Sequence, residues 1–282
     1  MASAAAAEAA SFYSPPRVSL AELDSTDSVA AAFEEAGMLL VVDVAGGEFE
    51  RARTRALLAL EECVRSRARN GDDAEWLRVA SLGGETKRHT IAASSLNDMH
   101  PEIERACPRF FESAGDLRKI NLDVTTRVAG SLQRALRPRT SGGAAAATET
   151  TTTIVTAVAQ GEHLEHFHVY SKEGSAASEG GGEAAASPTL DLHTDLGVLL
   201  SMAPALYTTP SKAMAEKEGS GLYVETRDGH LKQVALPSDS LLFMLGEGIH
   251  MWLDEVSLSP PFPPLSYNFR SLLYYGLHRT TF

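Results

Sequence analysis

Short strand-like segments dominate the C-terminal half of the sequence, and no other feature restricts the fold as strongly. Seven follow one another from Thr153: "TTIVTAVA", "HLEHFHVY", "TLDLHTDLGVLL", "GLYVET", "LKQVAL", "DSLLFML" and "FRSLLYYGL". They are rich in β-branched and aromatic residues, and turn-forming stretches such as "RDG" and "LPSD" separate several of them. A series of short strands with such turns is typical of a β-sandwich or a jelly roll.

The N-terminal half instead alternates between strand and helix patterns. "RVSLAEL" and "MLLVVDV" read as strands, and "DSTDSVAAAFEEAG" reads as a helix that ends at Gly37. Further helices are predicted from about Phe49 to Ala68 and from Gly115 to Leu136, the latter with an apolar stripe at helical spacing. We therefore predict a mixed α/β and helical lobe packed on the β-region.

Composition divides the chain further. We predict a disordered Ala-rich tail at 1–16, the N-terminal lobe at 17–139, a flexible low-complexity segment at 140–152, and the β-region at 153–282. A Gly/Ala/Ser-rich insert at 171–188 interrupts the β-region, and such composition suits surface loops better than a packed core.

Charge and cysteine content exclude several classes of function. The formal net charge is −12, which disfavours binding to nucleic acid or to an anionic membrane. Cys63 and Cys107 are too few for a disulfide framework, so we expect a reducing, cytoplasmic environment. No apolar run reaches the length of about 18 residues that a membrane span requires.

The strand "TLDLHTDLGVLL" carries the candidate chemistry. Side chains two positions apart lie on one face of a strand, so His193 and Asp195 can approach the same metal ion. An imidazole and a carboxylate both suit Fe(II), and one more histidine would complete a 2-His-1-carboxylate site. A two-residue pattern is also compatible with an ordinary polar pair on a strand.

The order of the motifs resembles the isopenicillin-N-synthase-like branch of the 2-oxoglutarate- and Fe(II)-dependent oxygenases. After "HTD" come "GLYV" (221–224), an Asp-Gly turn (228–229) and "PSDSLLFMLGE" (237–247), and "VAAAFEEAGMLLVVDV" is similar to the family's N-terminal lobe. The resemblance implies a double-stranded β-helix (a jelly roll) with an N-terminal α/β lobe and supporting helices. It also implies oxidation, usually hydroxylation, of a small organic molecule by dioxygen, with Fe(II) as cofactor, 2-oxoglutarate as co-substrate, and His193 and Asp195 as iron ligands.

Two histidines could supply the third iron ligand that the resemblance implies. His250 lies 57 positions after His193, close to the family's usual interval, whereas His278 lies 85 positions after it. The motif alignment disagrees with the spacing, because the expected ligand strand is replaced by a segment containing "SPPFPPL", and proline cannot donate to a strand ladder. Either His250 is recruited or the third ligand is missing.

The remaining site predictions concern 2-oxoglutarate and the pocket. Arg270 matches the family's carboxylate-binding arginine, with Arg279 as the alternative, and Tyr170 matches a tyrosine that contacts the co-substrate. His166 and His168 share a strand face with Tyr170, so they either line the pocket or, together with His193, bind a metal as in a cupin.

Three functions follow from these alternatives. The first is a monomeric, 2-oxoglutarate-dependent oxygenase with an unidentified small-molecule substrate. The second is a jelly-roll binding protein that lacks the third ligand. The third is a cupin-like metal enzyme that does not use 2-oxoglutarate.

Overall fold

The structure of the chain, a computed structural model, describes most of the two predicted regions. The described residues are 12–70, 74–82, 86–94, 99–135, 137–138, 153–161, 163–172, 188–209, 212–214, 221–226, 228–249, 258–259, 271–274 and 279–281. The predicted flexible segment at 140–152 and residues 173–187 of the predicted insert lie outside them.

The helices are α1 (Thr26–Ala36), α2 (Glu48–Asn70), α3 (Pro101–Ala106), α4 (Pro108–Ala135) and α5 (Ile154–Gln160), with 3-10 turns at Leu20–Asp24 and Val44–Gly47. The strands are β1 (Phe12–Tyr13), β2 (Arg17–Ser19), β3 (Met38–Val42), β4 (Leu77–Leu82), β5 (Thr86–Ser94), β6 (Arg137–Pro138), β7 (Leu164–Lys172), β8 (Pro188–His193), β9 (Leu199–Met202), β10 (Leu206–Thr209), β11 (Lys212–Met214), β12 (Gly221–Glu225), β13 (Leu231–Val234), β14 (Leu241–Leu245), β15 (Leu258–Ser259), β16 (Ser271–Tyr274) and β17 (Arg279–Thr281).

The described strands form a mixed set of sheets that both halves of the chain share. A five-stranded sheet has the order β1-β13-β12-β16-β8, a six-stranded sheet the order β11-β10-β17-β7-β5-β4, and a four-stranded sheet the order β2-β3-β14-β9, while β15 pairs with β6. The predicted mixed α/β composition is confirmed. N-terminal strands extend each of the three larger sheets, so both halves of the chain contribute to them.

The predicted helices are confirmed, although α4 begins at Pro108 and not at Gly115. α2 and α4 pack on the six-stranded sheet, whereas α1 packs on β2 and β3. α1 ends at Gly37, whose φ of 62° is a left-handed conformation that glycine adopts without strain. α4 buries the predicted stripe that includes Val124, Val128 and Leu132. Near its start Phe110 packs edge-to-face on Phe167 of β7, with ring centroids 5.3 Å apart. The other face of this sheet borders a cavity to which α4 also contributes.

Two local predictions are wrong. "TTIVTAVA" forms α5 instead of a strand, because the Thr153 side chain caps the helix by accepting a hydrogen bond from the Thr156 amide, at 3.0 Å. Ile154 and Val158 are then one helical turn apart and both buried, which outweighs their β-propensity. Ordered structure also begins before the predicted residue 17, because β1 pairs in parallel with β13.

The two cysteines form a disulfide. Cys63 of α2 and Cys107, between α3 and α4, are bonded across a sequence separation of 44 residues. The sequence-based expectation of a reducing environment does not anticipate this bond, since stable disulfides are uncommon in such compartments. Within the ranges that the structure describes, no helix is both long and apolar enough to cross a bilayer.

Candidate active site

The cavity-facing side of the six-stranded sheet is polar. β5 pairs with β7 so that Arg88 lies opposite Tyr170, Thr90 opposite His168, and Ala92 opposite His166. Strand alternation directs these residues to one face, and Ile91, Phe167 and Val169 to the other, where they are buried. The predicted shared face of His166, His168 and Tyr170 is therefore confirmed.

This polar face borders a cavity of about 1390 Å³. Its lining residues include Arg78, Arg88, Thr90, His166, His168, Tyr170, His193 and Asp195, together with apolar side chains from β9 and the preceding loop. The volume exceeds the roughly 300–1,000 Å³ of typical small-molecule sites. The two residues predicted as metal ligands and the polar sheet face thus open on the same space.

His193 and Asp195 lie side by side at one border of the cavity. β8 ends at His193, so Asp195 belongs to the following loop and not to the strand, as the alternation argument had assumed. Even so, His193 Nε2 and Asp195 Oδ1 are 3.9 Å apart, and the two side chains are 45% and 38% exposed. The separation is less than twice the usual ligand distance of about 2.0–2.2 Å, so one ion can contact both atoms.

Two glycines after β14 allow the chain to approach the loop of Asp195 closely. The Glu247 amide donates a hydrogen bond of 2.9 Å to the Asp195 carbonyl. A Cβ on Gly246 would lie 2.1 Å from the Gly197 carbonyl oxygen, and one on Gly248 would lie 2.4 Å from the Leu196 carbonyl oxygen. Only residues without a side chain fit at these two positions, so the "GEG" segment fixes the position of this loop.

The two histidines on β7 are uncharged at neutral pH. Burial, followed by the electrostatic effect of the nearby His166 and Arg88, lowers the pKa of His168 to about 3. Partial burial, Arg88 and Arg78 also lower the pKa of His166. His168 Nδ1 lies 2.9 Å from the Thr90 hydroxyl, so its ring is held in place by a hydrogen bond. The rings can therefore accept or donate hydrogen bonds without adding positive charge to the cavity.

Several predicted site residues fall outside the described part of the chain: His250, Arg270 and His278. For Arg279 only the backbone is described; it lies on β17 in register with Thr208. Tyr170 is 2% exposed and lies among the cavity residues, and its contact with the co-substrate stays a prediction.

The alternative metal site of a cupin-like enzyme is not assembled. Among the residues whose positions are described, no three His, Cys, Asp or Glu side chains are grouped so that they could hold one ion. His166 and His168 contact each other, with ring centroids 5.3 Å apart, but His193 does not join them.

Arg78 and Arg88 are cavity residues that the sequence did not single out. The pattern around β4 and β5 gives no motif; Arg88 becomes notable only through the pairing of β5 with β7, and Arg78 through the pairing of β4 with β5. The Arg88 position is 82 residues from its partner Tyr170. Alternating positions in "HLEHFHVY" were the only sequence signal for this face.

Comparison with known proteins finds similarity in structure alone. No protein-family model and no curated protein matches the sequence. AtDAO1, the dioxygenase for auxin oxidation 1 from Arabidopsis thaliana in complex with 2-oxoglutarate, is 12% identical with a TM-score of 0.55, covering 94% of this chain and 90% of that one. A C-terminally truncated protein from Neurospora crassa, in its apo form, is 10% identical with a TM-score of 0.54, covering 95% and 93%. JOX2 in complex with 2OG, Fe and JA is 13% identical with a TM-score of 0.53, covering 98% and 75%. At these identities the likeness establishes the fold.

Proposed function

We propose that this chain, which has the fold of 2-oxoglutarate- and Fe(II)-dependent oxygenases, is itself an oxygenase of this type acting on a small organic molecule. The observation that carries the proposal is the pair His193 and Asp195, 3.9 Å apart at the border of a large cavity. The fold provides the context in which such a pair is an iron site, and the pair provides the donor atoms that Fe(II) prefers.

The strand pairing supports a double-stranded β-helix. On one side β8, β16, β12 and β13 are neighbours, and on the other β7, β17 and β10 are neighbours. The pairs among these strands are antiparallel, and several join strands far apart in the chain, such as β8 with β16 and β7 with β17. Two facing sheets with such long-range antiparallel pairs are typical of a jelly roll.

His193 and Asp195 would hold the metal together with His250. Ile249, the last described residue before His250, follows Gly248, which packs against the Leu196 carbonyl in the loop of Asp195. The spacing in the sequence and the contact of the preceding Gly248 with this loop both favour His250 over His278.

Arg270 would bind the far carboxylate of 2-oxoglutarate. It directly precedes Ser271, which lies opposite His193 in the β8–β16 pair. A guanidinium can hold a carboxylate through two parallel hydrogen bonds. Arg279 is less favoured, because it lies in register with Thr208, whose hydroxyl donates to Glu61 of α2 on the helical side of the sheet.

When bound, Fe(II) and 2-oxoglutarate supply dioxygen activation, with 2-oxoglutarate converted to succinate and CO₂ while the substrate is oxidised. The chain's own residues bind and orient. Tyr170, 2% exposed, and the neutral His168, held by Thr90, offer hydrogen bonds at fixed positions on the cavity wall. Leu199, Leu200 and Met202 of β9 add an apolar stretch to the cavity wall, which would disfavour water beside the substrate.

Anaerobic titration tests the proposal. Fe(II) and 2-oxoglutarate together should give the wild-type protein a weak visible charge-transfer band, and His193→Ala or Asp195→Ala should abolish it. Arg105→Ala is the matched control, because Arg105 is exposed on α3 and pairs with Glu102 away from the cavity. A band that persists unchanged in both ligand variants, or no band in the wild type, contradicts the proposal.

The third ligand is tested in the same titration. His250→Ala should weaken or abolish the band, whereas His278→Ala should leave it. If His278→Ala abolishes the band and His250→Ala does not, the assignment of the third ligand to His250 is wrong while the function stands.

A further inference from the structure

We infer that the cavity binds a substrate with a carboxylate group and an apolar body, and that Arg88 is the residue that holds the carboxylate. This inference rests on the proposed oxygenase function and specifies the substrate class of the same site. It concerns an anion distinct from 2-oxoglutarate, whose carboxylate is assigned to Arg270.

Arg88 has unused hydrogen-bonding capacity at the cavity wall. Its Nε is buried and has no hydrogen-bond partner among the described residues. Because the protein encloses this N–H, a ligand in the cavity would be contacted by the terminal amino groups of the guanidinium instead. The two terminal amino groups of the guanidinium, which also have no hydrogen-bond partner among the described residues, are parallel donors that match the two oxygens of a carboxylate.

The position of Arg88 is set by the sheet. It lies directly opposite Tyr170 and next to the Thr90–His168 pair on the same face. It is also close enough to lower the pKa of both cavity histidines. A carboxylate bound by Arg88 would therefore lie beside hydroxyl and imidazole groups that can accept or donate further hydrogen bonds.

The charges around the cavity favour an anion although the whole chain carries −12. Four cationic side chains line it: Arg78, Arg88, Arg118 and Lys119. The acidic lining residues are Glu165, which pairs with Arg118, and Asp195, assigned to the metal. Within the described residues Arg78, Arg88 and Lys119 have no carboxylate partner, so the lining carries excess positive charge before a ligand binds.

The rest of the lining suits an apolar body. Val198, Leu200, Met202 and Leu222 contribute to the wall. An exposed phosphate or a polyanion would gain little from such a wall, whereas a monocarboxylate with a hydrocarbon or ring skeleton would bury apolar surface there. The lining thus selects an amphipathic monocarboxylate.

Paired probes test the inference. Binding of octanoate, 3-phenylpropionate and octyl phosphate is measured by calorimetry on protein loaded with Mn(II) and 2-oxoglutarate, alongside octanamide and 3-phenylpropionamide. At least one carboxylate should bind more tightly than its amide, and Arg88→Met should reduce that preference by about 10- to 100-fold, the loss expected for hydrogen bonds to a charged group. Arg88→Lys should retain only part of the carboxylate preference, because an ammonium group cannot donate two parallel hydrogen bonds to a carboxylate.

The control variant is Arg105→Met, which removes an equally charged side chain outside the cavity lining and should change no affinity. The inference is overturned if every carboxylate binds no better than its amide, if octyl phosphate binds best, or if Arg88→Met keeps the carboxylate preference. It is also overturned if Arg88→Met loses 2-oxoglutarate, because Arg88 would then belong to the co-substrate site. Failure of the wild type to bind 2-oxoglutarate overturns the oxygenase function, whereas normal 2-oxoglutarate binding without carboxylate preference overturns only the substrate class.

Discussion

Replacing Gly246 with alanine is expected to displace the loop that carries Asp195. The new Cβ would lie 2.1 Å from the Gly197 carbonyl oxygen and 2.8 Å from that of Asp195, whereas real Cβ contacts stay beyond 3.0 Å. The loop or the end of β14 must therefore move by about 0.9 Å or more, and both neighbours are backbone atoms that cannot rotate away. Overpacking of this kind costs about 1–3 kcal/mol.

The displacement should affect ligand binding more than stability. The residues of an active site tolerate shifts of about 0.5 Å, and a displacement of about 1 Å can lower the reaction rate on the order of 100-fold. Gly246→Ala should therefore lower the urea midpoint modestly and weaken Fe(II) binding, read from the anaerobic titration, by about 10- to 100-fold.

Gly115→Ala is the matched control. No atom lies within 4 Å of a Cβ at Gly115, which is inside α4, so alanine there should stabilise the protein by about 0.5–1 kcal/mol and leave metal binding intact. Wild-type stability and wild-type metal affinity in Gly246→Ala would refute the close-packing argument.

Two further predictions concern stability: one depends on the buried His168 and the other on the disulfide. The pKa of His168 is about 3 in the folded protein and about 6.5 when unfolded, so below pH 6.5 the unfolded state binds more protons than the folded state. The free energy of unfolding, measured with urea, should therefore be lower at pH 5 than at pH 7. This decrease should be larger in the wild type than in His168→Gln, by up to about 2 kcal/mol. Equal pH dependence in the two proteins would contradict this. Reducing the Cys63–Cys107 disulfide, which closes a loop of 44 residues, should lower the free energy of unfolding by about 4 kcal/mol, because the unfolded chain regains loop entropy. The urea midpoint with and without reductant measures this change. An unchanged midpoint would show that the disulfide does not stabilise the protein.

The spacing of apolar residues predicted those helices and strands whose formation depends mainly on neighbouring residues. α2, and α4 from Gly115 onward, carry apolar residues at helical spacing, and β7 alternates polar and apolar positions, so both types were identifiable. "TTIVTAVA" was misassigned because the cap supplied by Thr153 and the packing of Ile154 and Val158 outweigh the β-propensity of the segment.

Long-range pairing accounts for what the sequence did not predict. Arg88 enters the site only because β5 pairs with β7, and nothing around "TKRHTIAAS" indicates that partner. The roles of Gly246 and Gly248 depend on a close approach to residues 195–197, some fifty positions earlier. His193 and Asp195 could be proposed from the sequence because they lie only two positions apart and belong to a recognisable order of motifs.

The most direct test of the central claim is the position of a metal ion bound to the protein. Crystals grown anaerobically with Fe(II), or with Mn(II) in its place, and 2-oxoglutarate should show in anomalous difference maps one ion at about 2.0–2.2 Å from His193 Nε2 and from an oxygen of Asp195. An ion bound elsewhere, or none at this pair when 2-oxoglutarate is present, would contradict the account.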